Sequence, residues 1–111
     1  MVDFKVNDFS LKATSDHQTI LMITVYLLIK GKVQGVFYRV SAKEKADALQ
    51  LKGWVRNTDE GNVEAIASGG REAIEQFIAW CHRGPQRANV TAVEVKELEV
   101  QSFDSFRIIR D

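Results

Sequence analysis

The sequence is poor in the residues that staple, coordinate or span. A single cysteine, Cys81, excludes an intramolecular disulfide and fits a reducing compartment. With only His17 and His82 beside it, no recognised zinc-ligand spacing exists, and no metal is expected. The apolar run from Ile20 to Ile29 is too short to cross a bilayer. It also lacks a basic leader and a small-residue cleavage site, so no signal peptide or membrane partner is expected and the cytoplasm is the expected location. Charge of one sign is missing too. Fifteen basic and fifteen acidic side chains leave a formal net charge of +0, which argues against a broad nucleic-acid or polybasic membrane surface. A local anion site stays open, because local charge outweighs the sum. Repeats, low-complexity tracts and signs of a second core are absent as well. A length of 111 residues, 45% hydrophobic and 27% charged, fits one soluble globular domain.

Along the chain, residues 1–21 stand apart from the rest. Val2, Phe4 and Val6 alternate with polar residues, Phe9 and Leu11 alternate again, and Ala13 to Thr19 is polar like a linker. This part is expected to be an N-terminal extension, either an added edge strand or a tail, preceding a domain over 22–111. Met22 to Lys30 predicts a central strand, with Thr24, Val25, Tyr26 and Ile29 on largely apolar faces. A loop follows from Gly31 to about Tyr38. A helix is predicted from about Arg39 to Leu51, with Ala42, Ala46 and Leu49 on one face and Gly53 as its stop. Trp54–Asn57 and Gly61–Ala67 read as a hairpin around Thr58 to Glu60, and Gly69-Gly70 as a chain break. Ile74, Phe77, Ile78 and Cys81 mark a second helix from Arg71 to His82, closed by Gly84-Pro85. Val90 to Val100 predicts a long strand. Val93 and Val95 change phase against Leu98 and Val100, so a bulge or strand end is expected near Lys96 to Glu97. Phe106 to Arg110 predicts the last strand.

The order β-α-β-β-α-β plus a terminal strand predicts an α+β fold. It is a split β-α-β sandwich, with an antiparallel or mixed sheet of four to five strands and two helices on one face. Right-handed crossovers leave few alternatives.

Two segments carry chemistry. The first is Gly31-Lys32-Val33-Gln34-Gly35-Val36-Phe37-Tyr38-Arg39, a glycine-bearing loop that feeds a helix N-terminus. Positive φ at its glycines aims successive N–H groups into one concavity, and the helix end adds free N–H groups and a favourable dipole. Arg39 can add two parallel N–H bonds to a phosphate, which lysine cannot. The same loop also reads as a plain connector, with Gln34 solvated and Val33, Val36 and Phe37 or Tyr38 anchoring it on the core. The second segment, Gly53 to Glu64, places Asn57 before a turn, where its amide can orient a water or simply serve the turn.

Together the two segments resemble the acylphosphatase family. Its first pattern, G-x-V-Q-G-V-x-[FY]-R, is matched at every specified position from Gly31 to Arg39. Its second, an aromatic after glycine and then N-x-x-x-G-x-V-E, is matched from Gly53 to Glu64, and Gly69 also fits. The resemblance runs from Met22 to about Arg110. It implies a ferredoxin-like sandwich and hydrolysis of a small acyl phosphate with no metal or cofactor. It further implies that Arg39 binds the phosphate together with the loop Val33, Gln34, Gly35, Val36, Phe37 and Tyr38, and that Asn57 positions the attacking water. Phosphoryl transfer suits so lean a site. Its loose transition state needs positioning and charge stabilisation, and a carboxylate leaves without a general acid.

Other residues carry less. Cys81 is expected to be a packed thiol and His82 an exposed residue near a helix end. Asp59 and Glu60 are expected to be solvated turn residues rather than a magnesium cage. The chain is expected to act as a monomer, without nucleic acid. The competing readings are a non-catalytic acyl-phosphate sensor or a nucleic-acid binding module on the same fold. An RNA-binding version would need exposed aromatics such as Tyr26 and Trp54 in a basic setting, which zero net charge does not favour. A family domain inside a larger carbamoyl-transfer maturation protein is a further alternative, and the short chain is read as favouring the free-standing enzyme.

Overall fold

Strand-favouring side chains crowd Met22–Lys32, and this segment becomes strand β1, paired on both sides. The computed structural model describes residues 21–110. After β1 come α1 (Tyr38–Ala48), β2 (Lys52–Asn57), β3 (Val63–Gly70), α2 (Arg71–Arg83), β4 (Asn89–Leu98) and β5 (Phe106–Ile109). The five strands form one sheet in the order β4-β1-β3-β2-β5. All neighbours are antiparallel except β2 and β5, which run parallel, so the sheet is mixed. Both helices pack on one face, α1 over β2, β3 and β5, and α2 over β1, β3 and β4. This is the ferredoxin-like α+β architecture.

The alternation of the strands builds the core. Val25, Leu27 and Ile29 of β1, Val55 of β2, Val63, Ala65 and Ala67 of β3, and Phe106 of β5 are buried toward the helices. Ala42 and Ala46 of α1 and Ile74, Phe77 and Cys81 of α2 meet them, with Leu49 and Ile78 partly buried at the margin. The Tyr38 ring lies 5.3 Å from Trp80, and Phe77 meets Phe106 edge-on at 5.9 Å. The Tyr38 hydroxyl donates to the Cys81 carbonyl at 2.7 Å, so the first residue of α1 is fastened to the last turn of α2. Burial pushes the Cys81 thiol up to about 12, which leaves it a core side chain without nucleophilic character.

Several expected boundaries move, each for a tertiary reason. The first helix ends at Ala48, not Leu51: Gln50 takes φ 61, and Leu51 turns down into the core. Gly53 is not the helix stop. It lies inside β2 at φ 141, where a Cβ would collide with the Ile66 carbonyl of β3, so only glycine fits. Gly69 and Gly70 do not break the chain. They complete β3 opposite Ile23 and Met22, and α2 follows at once. Near Lys96 to Glu97 the structure has the strand end, one of the two features expected there, with β4 stopping at Leu98 and no register slip. The slip sits at the other end of β4, where Lys30 faces Ala92 but Gly31 faces Val90. Leu98 changes phase because it pairs with Thr24 on the opposite face, and Val100 lies beyond the strand. The extension expected over 1–21 lies outside the described residues, apart from Leu21, whose carbonyl accepts from the Arg71 N–H at 3.1 Å.

The helix-free face carries a polar network. The Tyr26 hydroxyl donates to Glu64 at 2.7 Å, Arg56 pairs with the same carboxylate, and the Arg56 guanidinium lies 5.3 Å over Trp54. Burial alone would raise the Glu64 carboxyl, but the Tyr26 hydroxyl and Arg56 outweigh it and hold it below its ordinary value. A depressed folded-state value means that this stabilisation is present above the unfolded carboxylate range and is lost as pH falls through the folded value. Urea midpoints measured between neutral and acidic pH are therefore expected to fall less steeply for Glu64→Gln than for wild type. Parallel curves would count against the network.

Candidate active site

The site begins with backbone that most residues avoid. Gly35 sits at φ 74 and Phe37 at φ 66, ψ 25, both left-handed. Two such residues around Val36 curl the segment between β1 and α1 into a concave turn, the backbone shape that gathers anions. A Cβ at Gly35 would meet nothing nearby, so its requirement is conformational rather than steric. Val33, Val36 and Tyr38 send their side chains into the core. They hold the loop down, as the connector reading expected, and leave its backbone to face the solvent side.

The helix N-terminus adds to this. Phe37 is the N-cap residue of α1 and gives no side-chain cap, and no acidic residue occupies the first turn. The first bond of the helix runs from the Ser41 N–H to the Phe37 carbonyl at 3.1 Å. The N–H groups of Tyr38, Arg39 and Val40 therefore precede the intrahelical ladder and suit an anion.

Arg39 and Asn57 meet here. A cavity of about 370 Å³ is lined by Val33, Gly35, Phe37, Tyr38, Arg39 and Val40 from the loop and α1, by Asn57 from β2, and by Arg110. Among the described residues two arginines and no acidic side chain line it, in a chain of zero net charge. Neither arginine is paired with an acid among the described residues. Asn57 ends β2, and its Oδ1 is buried without a hydrogen-bond partner. An unsatisfied buried acceptor is costly and marks the Asn57 amide as a group that the fold alone does not account for. Asp59 and Glu60 line a neighbouring polar hollow with Arg56, Asn57, Thr58 and Glu64, so Asn57 borders both. Among the described residues no group of three acids, histidines or cysteines is placed to hold a metal.

Gln34 does something the sequence did not show. It does not line the cavity. Its Nε2 donates to the carbonyls of Thr58 at 2.9 Å and Asn62 at 2.8 Å. Thr58 also organises the turn itself, accepting from the Asn62 N–H through its Oγ1 at 3.1 Å and donating its own N–H to the Asn62 carbonyl at 2.9 Å. Gln34 thereby ties the loop that precedes Arg39 to the turn that follows Asn57. Gln34→Ala cuts this tie, although each carbonyl keeps a backbone donor, Asn62 the Thr58 N–H at 2.9 Å and Thr58 the Gly61 N–H at 3.2 Å. The expected cost is about 1–2 kcal/mol of stability with roughly tenfold slower turnover, read from urea midpoints and kcat. An unchanged kcat at wild-type stability would show that the tie does not set the site's geometry.

Arg110 was missed altogether. Ile109 pairs with Arg56 in the parallel β2–β5 register, so the next residue comes level with Asn57. No local pattern announces this; it takes the pairing of two strands about fifty residues apart.

Comparison with known proteins places the chain in a family. The acylphosphatase family model matches residues 25–108. The chain belongs to the acylphosphatase family. It is 47% identical over 91 residues to an acylphosphatase of Methylococcus capsulatus, covering 81% of this chain and 99% of that one. The fold superposes on the structure of an acylphosphatase from Coxiella burnetii with a TM-score of 0.77 at 40% identity, over 79% of this chain and 93% of that one. The same fold forms part of a larger protein, full-length HypF in a phosphate- and nucleotide-bound form. There the TM-score is 0.75 at 25% identity, over 85% of this chain and 12% of that one. Among the described residues no helix is long and apolar enough to cross a membrane.

Proposed function

We propose that this acylphosphatase-family chain hydrolyses the carboxyl–phosphate bond of small acyl phosphates without a metal or cofactor. The observation that carries the reading is that Arg39 and Asn57, whose buried Oδ1 has no hydrogen-bond partner, line one cavity at a helix N-terminus, with no carboxylate among the described residues that line it. The substrate's phosphate rests in the Val33–Tyr38 loop. The loop backbone and the first N–H groups of α1 meet its oxygens, Arg39 grips it through parallel N–H bonds, and Arg110 adds a second positive charge. Asn57 Oδ1 accepts a hydrogen bond from the water and aims its lone pair at phosphorus. The water oxygen forms the new P–O bond as the bond between phosphorus and the carboxylate oxygen breaks. The carboxylate leaves with the bonding electron pair, and the water's proton passes to phosphate oxygen or solvent. Negative charge on the equatorial oxygens is met by guanidinium and amides already in place, which is where such a site gains its rate.

In this reading the chain works as a soluble cytoplasmic monomer whose partner is the small-molecule substrate, with nucleic acid and membranes playing no part. Benzoyl phosphate hydrolysis in the presence of a strong chelator tests it. Turnover that survives chelation is the expected result. A folded chain that binds inorganic phosphate but does not turn over would support a sensor instead, and turnover abolished by chelator would overturn the metal-free mechanism.

A further inference from the structure

In the reading above the phosphate end of the cavity is occupied by the loop backbone, Arg39, Arg110 and Asn57, but its rim is unexplained. Among the described residues the large apolar side chains that stand exposed are Leu21, Met22, Phe37, Val40, Val95 and Val100. Two of them, Phe37 and Val40, line this one cavity. Phe37 is 71% exposed and Val40 41%, and neither belongs to the core. Phe37 is also a bulky residue in left-handed backbone, a conformation that costs free energy and that asparagine or glycine would adopt more readily. Fold stability therefore does not account for an aromatic ring there. Phe37 is the N-cap of α1 and Val40 stands three residues later, so the two share one side of the first turn, flanking Arg39.

From this we infer that Phe37 and Val40 form the platform for the acyl group, and that the enzyme favours aromatic or branched aliphatic acyl phosphates over acetyl phosphate. The inference rests on the hydrolase reading and deepens it. An acyl group is joined to phosphorus through one oxygen, so it must leave the phosphate cradle within a few ångströms, at the cavity's edge. In-line displacement sends the leaving carboxylate away from the water. Asn57, which holds the water in that reading, comes from the end of β2, while Phe37 and Val40 come from the start of α1. A half-open apolar wall offers an aromatic or branched chain contact area that a lone methyl group cannot use. Phe37 and Val40 act here as specificity residues, separate from the groups that meet the phosphate.

The test compares kcat/KM for benzoyl phosphate and acetyl phosphate in wild type, Phe37→Asn, Phe37→Leu and Val40→Thr. Benzoate is a slightly better leaving group than acetate, but that advantage is common to every variant and cancels when the ratios are compared. Asparagine suits the left-handed backbone, so Phe37→Asn removes the ring without adding strain. Threonine keeps the shape of valine at an exposed helix position. The benzoyl-to-acetyl ratio is expected to fall about tenfold in Phe37→Asn and about threefold in Val40→Thr, and to recover most of the loss in Phe37→Leu. A ratio within about twofold of wild type in both polar variants overturns the platform. A ratio that instead favours a succinyl over a benzoyl phosphate overturns it in favour of Arg110 as the acyl-end contact. Affinities for benzoylphosphonate and acetylphosphonate, stable analogues that need no turnover, supply the same ratio independently. If wild type hydrolyses neither substrate, the hydrolase reading fails, and the phosphonate ratio still decides whether Phe37 and Val40 select the acyl group.

Discussion

Replacing Arg39 by alanine is expected to lower benzoyl phosphate turnover by roughly 100- to 1,000-fold and to weaken inorganic phosphate binding with it. Arg39 stands on the first turn of α1, beside N–H groups that no side chain caps, and among the described residues no carboxylate lines its cavity. Its charge is thus neither neutralised in advance nor shared with a structural ion pair, and removing it takes the full interaction from the phosphate. Because the phosphate is already charged in the ground state and gains equatorial charge in the transition state, both KM and kcat should suffer. Arg39→Lys should recover only a small part. An ammonium supplies a point charge on a flexible stem, whereas two parallel N–H bonds fix the angle of the phosphate to the water. The anchoring of the neighbouring Tyr38 to the Cys81 carbonyl at 2.7 Å means that the helix start does not move to compensate. Steady-state kinetics with phosphate as a competitive inhibitor separate the two effects. Wild-type phosphate inhibition in Arg39→Ala would rule out Arg39 as the phosphate ligand.

The second large effect is expected at Asn57. Its Oδ1 is buried and unsatisfied in the protein, and Asn57→Ala removes the one acceptor that would hold the water. Turnover should fall by about 100-fold or more, since a nucleophile displaced by an ångström loses that much. Inorganic phosphate should bind as before, because the loop, α1 and both arginines remain. Stability should hardly change, or rise slightly, since a buried acceptor without a partner is removed. The contrast with Arg39→Ala is the discriminating observation: rate and binding lost in one, rate alone in the other. If Asn57→Ala weakened phosphate inhibition as badly as Arg39→Ala, the division of labour between holding phosphate and aiming water would be wrong.

Much of this was legible before any coordinates. The strand-favouring side chains of β1, apolar on both faces, and the stripe Ile74, Phe77, Ile78 and Cys81 predicted elements that the structure contains, because both patterns act through the local backbone. The two motifs put Arg39 at a helix start and Asn57 before a turn, positions decided within a few residues of each. Three features were misread or missed for a common reason. Gly53 was read as a helix stop because the cause of its glycine, the Ile66 carbonyl, lies on another strand. Gln34 offered two local readings, and its true partners are the carbonyls of Thr58 and Asn62 across the site. The register shift at Gly31 and Val90 was missed, because register there depends on how two distant strands meet.

By itself, then, the sequence determined the elements, their order and the chemical make-up of the loop from Gly31 to Arg39. Those depend on periodicity, turn residues and side-chain type, which act over a handful of neighbours. Tertiary structure alone decided that Arg110 joins Arg39, that Gln34 binds the loop to the Asn57 turn, that Asn57 Oδ1 is left without a protein partner, and that Phe37 and Val40 border the same cavity. Each of these depends on which strands lie side by side. The parallel pairing of β2 with β5 is set by the packing of both helices on one face, and no stretch of chain carries that information locally.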